Sequence, residues 1–84
     1  MTLLRCGGHD VGQRLETSNI SATGVLFRTG LEVEVGATVE YVVTLAPATG
    51  TREQVRLHCF GRVVRRAEAE AIAATIERYD FVRV

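Results

Sequence analysis

Apolar and polar residues alternate with a period of two along much of this chain, a pattern typical of β-strands with one buried face. The clearest examples are residues 38–45 and 52–66. Shorter candidate strands lie at 2–6, 13–17 and 25–28, and glycines separate most of these segments. Such spacing indicates an all-β sandwich or barrel. The side chains predicted to face its core are Val39, Tyr41, Val43, Leu57, Val63, Ile72 and Ile76.

The segment 67–78 carries two conflicting signals. Its alanines and glutamates favour a helix, whereas Ile72, Ala74 and Ile76 alternate as they would in a strand. A strand here would pair with residues 62–66 and bury both isoleucines. The residues alone leave both alternatives open. The tail at 79–84 is too short to classify, and it is compatible with a short C-terminal helical turn that places Tyr79 or Phe81 over a barrel mouth.

The length of 84 residues predicts a single domain, 1–84, with a thin core. The ten basic residues are all arginine and equal the ten acidic ones in number, so the net charge is zero. This balance argues against a dedicated DNA-binding protein. No apolar run approaches the roughly 18 residues of a membrane span, and no export signal is recognisable. We therefore expect a cytoplasmic protein without membrane insertion, with Cys6 and Cys59 as free thiols.

Neither a catalytic centre nor a metal site emerges from the residue types. Ser21 does not lie in a Gly-x-Ser-x-Gly elbow. Cys6 and His9 have a spacing that zinc allows, but His58 and Cys59 are neighbours in a predicted strand and must point to opposite faces. The sequence therefore predicts a protein that is not an enzyme and has no metal and no cofactor.

Residues 19–24 read Asn-Ile-Ser-Ala-Thr-Gly, and an apolar strand follows them. This Asn-x-Ser-x-x-Gly pattern resembles the second signature of PilZ domains. Further along, 36–40 resembles the beginning of the long strand in that family, and 61–65 resembles its Gly-x-Val-x-Arg strand. Residues 72–81 resemble its closing strand, which ends in an aromatic turn. The resemblance extends over nearly the whole chain, from about residue 2 to residue 83.

The resemblance implies a six-stranded antiparallel PilZ-like β-barrel in which 67–78 is a strand. It also implies a bacterial signalling domain of the nucleotide-binding, cyclic di-GMP class. Asn19, Ser21 and Gly24 would then hold one face of the nucleotide. Binding members of the family also carry an Arg-x-x-x-Arg motif before the first barrel strand, and this sequence has none at that position. We therefore expect binding of cyclic di-GMP by this chain to be weak or absent.

Two functions remain open at this point. The first is a receptor or adaptor domain that passes a nucleotide signal to a protein partner or to a parent-protein domain. The alternative is a protein–protein interaction module, such as a type IV pilus or motility adaptor, that docks or homodimerises through its outer face or an open edge. The residues themselves also allow a simpler interpretation of 19–24, as a polar turn between two strands.

Arg62 is the local candidate for a missing phosphate contact. It shares a predicted outer face with Arg56, His58 and Arg66, which gives that strand a basic stripe. Arg62 could help to hold a nucleotide only if its strand lies beside the turn at 19–24. The alternative for this stripe is a solvated strand face that discourages edge pairing.

Overall fold

A computed structural model of the protein describes residues 1–45, 55–67 and 70–83. These residues form β-strands connected by turns and short irregular segments, and they include no helix that could cross a membrane. The strands are β1 (Thr2–Cys6), β2 (His9–Arg14), β3 (Thr17–Ile20), β4 (Gly24–Arg28), β5 (Thr38–Leu45), β6 (Val55–Arg66), β7 (Ala71–Thr75) and β8 (Arg78–Arg83). The prediction of an all-β fold is confirmed.

All strand pairs are antiparallel, and seven of the strands form a sheet in the order β2-β1-β5-β6-β7-β4-β3. The eighth strand, β8, pairs with β6 but has no place in this linear order. The sheet is not closed, because β2 and β3, the strands at the two ends of the order, are not paired with each other. Only Leu15 and Glu16 separate these end strands in the chain. The Leu15 amide donates to Met1 (2.9 Å), and the Arg28 amide donates to Glu16 (3.3 Å). The predicted strand at 13–17 is therefore interrupted at these two residues.

The longest strand, β6, organises the sheet. One of its edges pairs with β5 over residues 55–62. The other edge pairs with β8 over 55–60 and with β7 over 63–66. The change of neighbour falls at Gly61, where a Cβ atom would overlap the carbonyl oxygen of Thr75. Glycine at this position therefore allows the close approach of two backbones.

The core lies on the face that the alternation predicts. Val39, Tyr41, Val43, Val63 and Ile72 are buried, as expected. The remaining buried apolar residues are Leu3, Val25, Phe27, Val33, Cys59, Ala71 and Ala74. Several of them lie in short strands at the beginning of the chain, where too few residues alternate for the buried face to be predicted.

Leu57 and Ile76 are only partly buried, which corrects their predicted place inside the core. Leu57 pairs with Phe81 of β8, and the Phe81 side chain is 66% exposed. The core therefore thins at this end of β6, where Leu57, Ile76 and the two aromatic residues of β8 line a surface pocket together with Ser21 and Ala22.

The end of the chain is extended. Residues 71–75 form a strand paired with β6, which confirms the strand alternative for the described part of 67–78. The predicted C-terminal helical turn is wrong, since residues 78–83 form β8. Its pairs run in order along β6 from Phe60 with Arg78 to Val55 with Arg83. The edge of β6 provides hydrogen-bond partners for the backbone N–H and C=O groups of residues 78–83. In a helical turn these groups would have to pair with one another.

Gly61→Ala should lower the free energy of unfolding by about 3 kcal/mol, at the upper end for overpacking, because the new methyl group meets backbone rather than a flexible side chain. The matched control is Gly30→Ala, where a Cβ atom meets no atom within 4 Å and φ is not left-handed. This control should change the stability by less than about 0.5 kcal/mol. Urea unfolding measures both, and equal stability of the two variants would show that the crossing at Gly61 is not tight.

Candidate functional site

The residues of the Asn-x-Ser-x-x-Gly pattern form the connection between β3 and β4. The Ser21 amide donates to the carbonyl oxygen of Gly24 (2.9 Å), and the Thr23 amide donates to the Ser21 hydroxyl (3.4 Å). On the other side, the Ile76 amide donates to the carbonyl oxygen of Thr23 (2.9 Å). The turn is therefore closed internally and anchored to the segment between β7 and β8.

Gly24 has a packing reason to be glycine. Its φ is not in the left-handed region, so the turn does not require that conformation. A Cβ atom at Gly24 would lie 2.8 Å from the carbonyl oxygen of Ala74 in β7. The glycine thus allows β4 and β7 to approach closely, and its presence is explained without a ligand.

A surface cavity of about 410 Å³ lies beside this turn. Asn19, Ser21 and Gly24, the three motif residues, all line it. The remaining lining residues are Thr23, Val25, Leu26, Val64, Arg65, Ala73, Ala74 and Thr75. The cavity thus combines polar side chains, one guanidinium group and an apolar wall, a combination that suits a polar ligand with flat rings and an anionic group.

The arginine at this cavity is Arg65, whereas the sequence pointed to Arg62. The pairing of β6 with β7 shifts between Val63 and Arg65. Val64 and Arg65 are both exposed, although strict alternation would turn one of them inward. The place of Arg65 at the cavity could not be predicted from the sequence, because the period-two pattern does not show where such a bulge interrupts the alternation.

Arg62 lines a different cavity, together with Arg5 and Glu77. Its Nε atom lies 3.6 Å from a carboxylate oxygen of Glu77. Both side chains are more than half exposed, so the ion pair contributes little to stability. The structure therefore does not bring Arg62 to the turn at 19–24.

The rest of the predicted basic stripe is only partly basic. His58 Nε2 lies 2.8 Å from a carboxylate oxygen of Glu40, and both side chains are about three-quarters buried. The imidazole ring also packs on Phe60, with ring centroids 4.7 Å apart. The guanidinium group of Arg78 also lies over the Phe60 ring, 4.3 Å from its centre. On this face, carboxylates thus lie next to His58 and Arg62, and an aromatic ring lies next to Arg78.

The candidate metal ligands are not gathered into one site. Cys6 and His9 are paired across the β1–β2 turn, and both line a cavity with Asp10 and Glu32. His58 lies on the outer face, whereas Cys59 is buried. Across the ranges 1–45, 55–67 and 70–83, no group of three or more His, Cys, Asp or Glu side chains could hold a metal ion.

Burial perturbs the titration of two adjacent core groups. Tyr41 and Cys59 are paired across β5 and β6, and both are fully buried. Desolvation raises the pKa of the Tyr41 phenol well above its ordinary value, and Cys59 raises it further. Desolvation also raises the pKa of the Cys59 thiol, with a smaller opposing contribution from Tyr41. The thiol is therefore protonated near neutral pH and is not a candidate nucleophile.

The stability of the domain should fall as the pH rises above about 8.5, the ordinary pKa of a thiol. The folded protein holds the Cys59 and Tyr41 protons more tightly than the unfolded chain, so deprotonation favours unfolding. Chemical unfolding between pH 7 and pH 10 measures this slope. Cys59→Ala should reduce this slope, leaving the contributions of Tyr41 and of Cys6, whose pKa burial also raises. An unchanged slope in this variant would show that the buried Cys59 thiol does not contribute.

No family model matches this sequence, and neither a curated protein nor a solved structure matches it. The PilZ resemblance therefore rests on the motif residues, and the function has to be inferred from the cavity and the surface.

Proposed function

We propose that this chain is a PilZ-like bacterial signalling domain of the cyclic di-GMP receptor or adaptor class. The observation that carries the proposal is the cavity in which Asn19, Ser21 and Gly24 meet Arg65. The strand arrangement is compatible with a six-stranded PilZ-like barrel if β2 with β3, and β7 with β8, each represent one interrupted barrel strand. In this proposal the domain acts in the cytoplasm and binds its ligand without catalysing a reaction.

The cavity residues supply complementary contacts for a nucleotide. The guanidinium group of Arg65 would bind a phosphate through two parallel hydrogen bonds. Asn19 and Ser21 would add neutral hydrogen bonds to the phosphate or to a base edge. Val64 and Ala73 would provide an apolar surface for a guanine ring.

These contacts are too few for tight binding. A charge-assisted hydrogen bond contributes about 1.5–3 kcal/mol net, and a neutral one about 1 kcal/mol. Without the two arginines of the Arg-x-x-x-Arg motif, the ligand loses roughly 3–6 kcal/mol of interaction. A micromolar dissociation constant then becomes roughly 0.1 mM to 20 mM. We therefore propose weak binding that depends on Arg65.

The second candidate function is a protein–protein interaction module without a nucleotide ligand, such as a type IV pilus or motility adaptor. The observation in its favour is a group of exposed apolar side chains on β8, namely Tyr79 (52% exposed), Phe81 (66%) and Val82 (43%). Exposed apolar surface of this kind often marks a docking site for a partner, for a parent-protein domain or for a second copy.

Isothermal titration calorimetry with cyclic di-GMP should give a dissociation constant weaker than about 10 μM. Arg65→Ala should weaken the residual binding further, by about tenfold or more, because it removes the only arginine among the described cavity-lining residues. Arg62→Ala is the matched control, since it removes an exposed arginine from the same strand but outside the cavity.

Tighter binding than about 10 μM would contradict the proposed loss of affinity. Equal effects of the two substitutions would contradict the assignment of Arg65. Heat signals indistinguishable from buffer at millimolar ligand would favour the interaction module over the receptor.

A further inference from the structure

The floor of the cavity beside the turn at 19–24 is a row of residues that runs across the sheet. Asn19 lies opposite Leu26, and Leu26 lies opposite Ala73. Ala73 in turn lies opposite Arg65, so the row crosses β3, β4, β7 and β6. Ala74, the next residue of β7, is buried in the core, which places the row on the outer face of the sheet. Neighbouring strands lie about 4.8 Å apart, so the backbones of Asn19 and Arg65 are roughly 14 Å apart.

The two ends of this row offer different chemistry to a ligand. Arg65 supplies the only guanidinium group among the described lining residues, and Asn19 supplies an amide that can both donate and accept hydrogen bonds. Between them lie Leu26 and Ala73, which are apolar and partly buried. A ligand that covers the row therefore needs one anionic group, an apolar ring face and a polar ring edge. A single nucleotide unit, with a phosphate at one end and a base at the other, has this arrangement.

The positive charge of Arg65 is not neutralised within the part of the chain that the structure describes. Two other arginines have carboxylate partners there, since Arg5 lies 3.2 Å from Asp10 and Arg62 lies 3.6 Å from Glu77. Arg65 is in none of the ion pairs formed by described residues. The described residues that line its cavity also include no aspartate, glutamate or histidine. The cavity thus has a net positive charge carried by one group.

A single guanidinium group distinguishes between two kinds of phosphate. A terminal phosphate monoester carries a charge of about −1.5 to −2 at pH 7 and has three acceptor oxygens. A phosphodiester carries a single negative charge. At a separation of about 4 Å in water, one additional charge adds roughly 1 kcal/mol, which corresponds to about fivefold in affinity. A cyclic dinucleotide has two diesters, and only one of them can contact Arg65.

We propose that this cavity is selective for a nucleotide with a terminal phosphate monoester, that is, a nucleoside 5′-monophosphate, over cyclic nucleotides whose phosphates are diesters. The phosphate binds Arg65, the base lies over Leu26 and Ala73, and the edge of the base meets Asn19. This inference rests on the function proposed above, because it takes the same cavity as a nucleotide site, and it names the class of nucleotide that the site prefers.

Amide chemical shifts of the ¹⁵N-labelled chain test this preference with a matched pair of ligands. Guanosine 5′-monophosphate and guanosine 3′,5′-cyclic monophosphate share the base and the sugar and differ in the phosphate, which is a monoester in the first and a diester in the second. At pH 7 and constant ionic strength, the monoester should bind at least about fivefold more tightly. Cyclic di-GMP and inorganic phosphate, titrated in parallel, should both bind more weakly than the monoester.

Two substitutions locate the source of the preference. Arg65→Ala should remove the difference between the two matched ligands, because the charge that distinguishes them is then absent. Arg28→Ala is the control, since Arg28 is exposed on β4, two residues from Leu26 on the same face, but is not among the described lining residues. This variant should keep the difference. Spectra without ligand show whether each variant retains the fold.

A change of pH provides a test that needs no variant. The second ionisation of a phosphate monoester has a pKa of about 6, so at pH 5 the monoester carries little more charge than the diester. Binding of guanosine 5′-monophosphate should therefore weaken by about fivefold from pH 7 to pH 5. Binding of the cyclic monophosphate should not change, because no aspartate, glutamate or histidine is among the described residues that line the cavity.

The possible failures separate this inference from the proposed function. Equal or tighter binding of either cyclic nucleotide, with shifts at the cavity, would overturn the preference for a monoester and leave the nucleotide site in place. Inorganic phosphate as effective as the nucleotide would overturn it as well, because the base would then contribute nothing. So would an equal loss with Arg28→Ala, which would indicate a diffuse attraction. If no guanine ligand shifts the cavity residues, the proposed function itself fails.

Discussion

The crossing of β6 and the β7–β8 segment at Gly61 is the contact on which the rest of the structure depends. Because Gly61 has no side chain, the Thr75 carbonyl can lie against β6 and accept a hydrogen bond from the Tyr41 hydroxyl (3.2 Å). The hydroxyl group of Thr75 accepts another from the Arg62 amide (3.0 Å). β6 exchanges one neighbouring strand for another here, and no buried side-chain nitrogen or oxygen in the described part of the chain lacks a hydrogen-bond partner.

The same crossing places the two candidate functional surfaces next to each other. On one side, β7 carries β4 and the turn at 21–24, which form much of the cavity with Arg65. On the other side, β8 carries Tyr79 and Phe81, which are both more than half exposed. Ser21 lines both the cavity and a small pocket beside Tyr79 and Phe81. Ser21 therefore borders both surfaces.

The predictable part of the fold follows from long regular strands. The alternation in β5 and β6 was sufficient to assign Val39, Tyr41 and Val63 to the core, because every second residue in these strands faces the same way. Irregular positions could not be predicted in this way. The bulge that turns Arg65 toward the cavity, and the continuation of β8 along β6, depend on pairing between distant segments. The motif predicted the cavity wall at 19–24 but not the arginine that faces it.

The most direct test of the proposed nucleotide site is a titration of the ¹⁵N-labelled chain with cyclic di-GMP, followed by amide chemical shifts up to millimolar ligand. The account predicts fast-exchange shifts concentrated at residues that line the cavity, namely Asn19, Ser21, Thr23, Gly24, Arg65 and residues 73–75. Shifts concentrated around Arg62 and Arg5 would contradict it, and so would a spectrum that does not change over the whole titration.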